Sequence, residues 1–221
     1  MIAADQRTLP LLDAFSVLVP STAIQRGCTI GCSGSASMSL VMAVAAGPMQ
    51  AGAWAAVAGV PAFGVRAAAE LGVPPARLVL VAEPPGGMDG GRSADAVAAM
   101  IDGFDVVVLG PRLRIRPPVA RRLQSRAQSR GAVLITVGTL DGFGCDIQLV
   151  AQRQQWEGLG CGHGVATARR VDVELRGRRV PRPQRTVLLL PDVDGDVRAE
   201  AGVETRVATS VAGITTLART G

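Results

Sequence analysis

The segment from Cys28 to Ala46 joins an apolar strand, a Gly/Ser-rich turn and an apolar helix, the order in which backbone N–H groups can wrap a phosphate. That chemistry needs glycines for the wrap, a Lys to reach the outer phosphates and a Ser or Thr hydroxyl for magnesium. Written against G-x-x-x-x-G-K-[ST], residues 31–38 read Gly31-Cys32-Ser33-Gly34-Ser35-Ala36-Ser37-Met38. Ala36 takes the place of the second glycine, Ser37 that of the lysine and Met38 that of the hydroxyl. Gly31, Gly34 and Ser37 are what is left of an anion pocket, and the reading is a degenerate phosphate loop that holds no nucleotide cofactor. The carboxylate that should steady the metal is missing too. The aliphatic strand Val106–Leu109 ends in Gly110, and Asp105 lies at its other end.

Other chemistries find little material. All 23 basic residues are Arg, so no lysine nucleophile, Schiff base or general base exists. One histidine, His163, sits among glycines and reads as a turn residue. A zinc site from Cys28, Cys32, Cys161 and His163 lacks the C-x-x-C spacing on either side, so no metal is expected. Ser33, Ser35 and Ser37 have no base partner. No catalytic residue emerges, and the chain is expected not to be an enzyme.

Charge offers more. Seven arginines and no acid lie between Arg112 and Arg130. Arg122, Arg126 and Arg130 fall at i, i+4 and i+8 of a helix predicted over 119–130, a basic stripe whose like charges an anionic counterpart would relieve. A second group, Arg169, Arg170, Arg176, Arg178, Arg179, Arg182 and Arg185, is interrupted by Asp172 and Glu174 and reads as a strand's outward face, from which Arg178 and Arg179 could serve a partner. Those two and the three arginines of the stripe, with Trp156 before the turn GLGCGHG (158–164), are the candidates for contact with a partner or DNA. Trp54 falls in a strand expected to be buried. With no Tyr, four Phe and two Trp, binding of single strands by base stacking has few platforms.

The elements that must position these residues can be read from the apolar pattern. The chain has 221 residues, 48% hydrophobic and 19% charged, enough to bury a core. The absence of Lys, Asn and Tyr, all encoded by A/T-rich codons, points to a GC-rich genome, so Arg abundance alone does not argue for an anionic partner. No charge occurs between Arg26 and Arg66, but Gly47-Pro48, Gln50, Gly52, Gly59 and Pro61 interrupt the run, which reads as a buried helix and strand rather than a membrane span. The start MIAADQRTLP has no basic-then-apolar signal pattern, so a cytoplasmic location with free thiols is expected.

Strands are expected at 27–31, 54–60, 78–82, 106–109 and 132–137. Helices are expected at 36–46, ended by Gly47-Pro48, at 64–71, at 93–101 with Ser93 as cap, and at 119–130. Strands apolar at every position, alternating with helices, imply an α/β fold: a mostly parallel sheet with helices on both faces. From Cys145 the pattern changes to alternating strands at 146–151, 166–175 and 185–190, an antiparallel C-terminal extension. The expected division is one domain over 1–190 and a loosely ordered tail over 191–221.

Stretches such as GAWAAVAGVPAFGVRAAAELGV (52–73), ARLVLVAEPPGG (76–87) and FDVVVLG (104–110) resemble the core of bacterial RecA. IQRGCTIG (24–31), RGAVLITVG (130–138) and WEGLGCGHGVATARRVDVELRGR (156–178) resemble more closely the degenerate ImuA-prime accessory proteins of the actinobacterial mutasome. The resemblance spans roughly 9–190. It implies a RecA-like core in which the catalytic glutamate falls near Val60 and the nucleotide-sensing glutamine near Val137–Thr139, so both are replaced. It also implies a non-catalytic scaffold in damage-induced, error-prone translesion synthesis. The partners would be an ImuB-type Y-family-like adaptor and, through it, an error-prone C-family polymerase and the sliding clamp, with a weak DNA contact and no membrane. The loops that hold single-stranded DNA in RecA are short here, Gly110–Pro118 and Gly138–Gly144. The alternatives are a SulA-like inhibitor of cell division in the SOS response and a divergent DNA-dependent ATPase.

Overall fold

The computed structural model describes residues 7–19, 21–83, 89–159 and 164–200. Among the described residues, nine strands form one mixed sheet, and its strand order follows from burial. The central strands β3 (Thr29–Gly34), β4 (Ala55–Ala58), β6 (Val106–Leu109) and β7 (Val133–Val137) are apolar on both faces or nearly so, and run parallel with β5 (Leu78–Val81) at one edge. Burial on both faces is what a strand covered by helices on each side requires. Two helices cover one face: α1 (Ser37–Gln50) packs on β3, β6 and β7, and α2 (Val65–Glu70) follows β4. The other face carries α3 (Gly90–Gly103) and α4 (Pro117–Arg130), which pack against each other and whose Val97, Ile101, Leu123 and Ala127 meet Val107, Leu109 and Leu134. This is the fold class expected.

On the far side of β3, β8 (Ile147–Leu159) runs parallel to β3 and antiparallel to β9 (Gly164–Arg176). β10 (Gln184–Leu189) and β11 (Arg198–Ala199) continue the antiparallel part. Only Ile147–Ala151 of β8 pairs with β3, and β9 is bonded on its other side only up to Arg169, so from Trp156 and Arg169 outward the two strands extend beyond the sheet as a two-stranded ribbon. A separate pair, β1 (Thr8–Pro10) and β2 (Ala23–Gln25), closes the N-terminal side; the sequence pattern gave no strand at either place.

Several boundaries differ from expectation. α1 passes through Gly47-Pro48 to Gln50. Pro48 lies in the last turn, where one lost N–H bond is cheaper than in mid-helix, and Gly47 lets the Leu11 backbone pack directly on the turn, 2.7 Å from where a Cβ would stand. α3 begins three residues before Ser93, because Asp89 caps it by accepting the Arg92 N–H at 2.8 Å; Ser93 is buried inside the helix. Trp54 stands just before β4 and is 45% exposed, not core, because its strand starts only at Ala55. Of the expected tail, Asp192 to Glu200 fold back, with β11 on β10; residues 201–221 lie outside the described residues, as do Cys161 and His163. No helix among the described residues is long and apolar enough to cross a membrane.

Candidate functional site

The junction between β3 and α1 is where a phosphate loop would stand. Gly31, Cys32, Ser33 and Gly34 are strand residues: Gly31 pairs with Thr136 of β7 and Gln148 of β8, and Gly34 pairs with Ala151. Only Ser35 and Ala36 separate the strand from α1, whose first residue is Ser37. Two residues do not make the long wrap of backbone N–H groups that a phosphate cradle uses. Both glycines serve packing. A Cβ on Gly31 would lie 2.7 Å from the Cys145 Sγ, and one on Gly34 (φ +91°) would lie 2.0 Å from the Ala151 carbonyl oxygen. Ala36 at the start of α1 gives no side-chain cap.

Arg169 of β9 covers this junction. Its guanidinium donates to Ser39 Oγ in the first turn of α1 and, through Nε, to the Leu190 carbonyl at 2.8 Å. Its Cζ stands 5.1 Å from the Trp156 ring centroid, a cation–π contact between directly opposed residues of β8 and β9. Burial pulls the Arg169 pKa below the usual guanidinium value. The sequence puts this residue on an outward strand face; the β8–β9 register brings it over α1 instead. Trp156 keeps 43% of its surface exposed on the ribbon.

Ligands of open α/β sheets enter where neighbouring strands send their connections to opposite faces. Two places fit here: between β4, followed by α2, and β6, followed by α4, and between β4 and β5, which is followed by α3. The chain fills the first with its own backbone: the Gly110 N–H donates to the Ala58 carbonyl at 2.8 Å, and the Arg112 N–H to Gly59 at 3.2 Å. Leu113 is buried against Gly59, and a Cβ on Gly110 would stand 2.2 Å from the Gly59 carbonyl oxygen. Val60 lines a groove of about 340 Å³ at the second, with Phe63, Leu80, Glu83 and Arg112. Val137 ends β7, and the following Gly138 N–H is spent on the Cys32 carbonyl at 2.7 Å.

Asp105 lies, as expected, at the end of β6 away from the β3–α1 junction. It binds Arg26 at 2.8 Å and accepts the Trp54 N–H at 3.1 Å, so it ties β2, β4 and β6 together. Among the described residues no group of His, Cys, Asp or Glu is arranged to hold a metal ion.

The basic stripe divides. Arg126 grips Asp102 of α3 with Nε at 2.9 Å and with Nη2, and Arg130 Nε reaches the same carboxylate at 3.0 Å. Hydrogen bonds from Arg126, with both positive charges, hold the Asp102 carboxyl below its ordinary range. The repulsion expected along the stripe is therefore answered inside the molecule, a pairing invisible in sequence because it joins two helices. Arg122 makes no ion pair among the described residues. Arg178 and Arg179 both converge on buried Asp146, at 3.4 and 3.6 Å, and Asp146 in turn accepts the Thr29 N–H at 3.0 Å. They fasten the start of β8 to β3.

The sequence is similar to the uncharacterized protein Rv3395c of Mycobacterium tuberculosis (strain ATCC 25618 / H37Rv), with 34% identity over 102 residues. The match covers 46% of this chain and 48% of that protein, so it spans about half the length of each. The family described as "MT3502 N-terminal domain" matches residues 17–142, from the segment before β2 past the end of β7. More than half of the chain lies within that match, and the chain belongs to this family.

Proposed function

We propose that the protein is a non-catalytic, RecA-like accessory protein that works as a scaffold in damage-induced, error-prone translesion DNA synthesis. The observation that carries this reading is the β3–α1 junction. The order strand–turn–helix is kept, but the turn is two residues long and Gly34 is closed against Ala151. ATP hydrolysis needs charge stabilisation at the transferred phosphoryl group and an oriented water. Ser37, Val60 and Gly110 offer neither, and the crevice beside β4 and β6 is occupied by main chain. A fold that keeps its sheet without this machinery suits a protein that acts by contact.

The partner in this reading is an ImuB-type Y-family-like adaptor, which links the scaffold to an error-prone C-family polymerase. The half-exposed Trp156 on the projecting ribbon, braced by Arg169, is the anchor assigned to it. Co-expression of the full chain with the adaptor from the same genome tests this. A complex that survives size exclusion, is weakened about tenfold or more by Trp156→Ala, and forms equally with and without magnesium-ATP supports the reading. Magnesium-ATP binding by the protein alone, or capture of the cell-division GTPase in place of the adaptor, overturns it.

A further inference from the structure

Among the described residues most arginines are matched by a carboxylate or a carbonyl, as Arg26, Arg126, Arg130 and Arg185 are. Arg114, Arg116, Arg121 and Arg122 are not: all four are exposed and make no ion pair and no side-chain hydrogen bond among the described residues. They are also neighbours, in the connection from β6 into the first turns of α4. From Arg112 to Arg116 the burial alternates: Leu113 is buried and Ile115 half-buried against the α3–α4 core, while Arg112, Arg114 and Arg116 face out. Alternate residues of extended chain stand about 7 Å apart, comparable to successive phosphates along one nucleic-acid strand. Arg121 and Arg122 on α4 continue the charge past Pro117 and Pro118.

We propose that this strip, Arg114, Arg116, Arg121 and Arg122, holds the phosphate backbone of a nucleic-acid strand. Guanidinium groups bind phosphate in bidentate fashion and remain charged at any physiological pH. Three acids flank the strip and none forms an ion pair with it among the described residues: Glu83 is taken by Arg112 at 3.6 Å, Asp89 caps α3 through the Arg92 N–H beside Gly90, which packs on the Arg114 backbone, and Asp141 precedes Gly142, which packs on Pro117. The chain itself carries no acid from Val106 to Leu140, and residues 201–221 hold one acid against two arginines, so the C-terminal segment is a poor counterpart. The exposed tryptophans, Trp54 and Trp156, lie on other elements, so the contact goes to the backbone without base stacking and is indifferent to sequence. This inference does not depend on the accessory reading, and neither test needs the other to succeed.

The test is fluorescence anisotropy of the full chain with labelled dT25 and with a 25-base-pair duplex, from about 20 to 200 mM salt. Binding to either probe is expected, with log K falling against log salt at a slope of about −3 for the single strand. Arg114→Ala/Arg116→Ala weakens binding at least about tenfold and flattens the slope by about 1 to 2. Arg153→Ala/Arg182→Ala, which removes the same charge elsewhere, changes it less than about threefold. An unchanged thermal midpoint in both variants excludes misfolding, and the lysine versions of the strip restore the slope. Absence of binding at low salt, an equal loss in both variants, or binding of poly-L-glutamate but of neither nucleic acid overturns the proposal.

Discussion

Gly34 and Ala151 are closed against each other across β3 and β8: a Cβ on the glycine would fall 2.0 Å from the alanine carbonyl oxygen. Gly34 also has φ +91°, a conformation that side chains with a Cβ rarely adopt. Gly34→Ala is therefore expected to destabilise the protein by about 3 kcal/mol or more, combining backbone strain with a steric clash. Gly103→Ala, at a site with nothing within 4 Å, should be neutral or stabilising by a few tenths of a kcal/mol. Denaturant unfolding of the two variants makes the comparison, and equal midpoints would remove the packing role given to Gly34.

Asp102 joins α3 to α4 through Arg126 and Arg130, and its carboxyl is held below the ordinary range by those partners. A carboxyl depressed by folding stabilises above its unfolded pKa, and the contribution is lost as pH falls through the folded value. Asp102→Asn should thus lower the thermal midpoint at neutral pH, with the gap to the parent protein closing in acid and at high salt. A gap that stays constant from neutral pH down to pH 2 would contradict the assignment.

The thiol of Cys28 is pushed up from about 9.0 to about 12 by burial, helped by the negative charge of Asp146, and burial pushes Cys32 up as well. Groups raised by folding stabilise below their unfolded pKa and lose that contribution as pH rises toward the folded value. Stability should fall from about pH 9 upward, by up to ~1.4 kcal/mol per pH unit for each thiol. Cys28→Ala is expected to make that alkaline slope shallower. In the folded protein at pH 8, labelling of Cys28 and Cys32 by iodoacetamide should occur only through unfolding; rapid labelling of either would show that the site is open.

Ile135 lies in the centre of β7, fully buried between β3 and β6 and facing α1. Ile135→Ala should cost about 2–5 kcal/mol and lower the melting temperature by roughly 10 °C.

The parallel core was legible because its strands are unbroken apolar runs: VVVL at 106–109 and VLITV at 133–137 came out within a residue of their observed limits. The antiparallel extension was legible from the alternation in VDVEL. What could not be read was tertiary pairing. Asp89 outcompeted Ser93 as the cap of α3, and Asp102 pairs from a different helix with two of the three arginines of the stripe. The glycines of the 31–38 segment looked like loop residues because their spacing nearly fits a phosphate loop. The register with β8 shows that they serve close approach of strands instead. Arg169 read as one of an outward-facing basic cluster, and only long-range register sets it over α1.

β8 joins the two halves of the sheet, parallel to β3 on one side and antiparallel to β9 on the other. The stretch shared with the family ends at residue 142, before β8 begins. A fragment cut there would leave Ile30–Gly34 as a raw edge with unsatisfied donors and acceptors and an apolar flank, a template for self-association. The family match therefore stops one strand short of a closed edge: Ile147–Ala151 of β8 is the selvedge that the matched strands need.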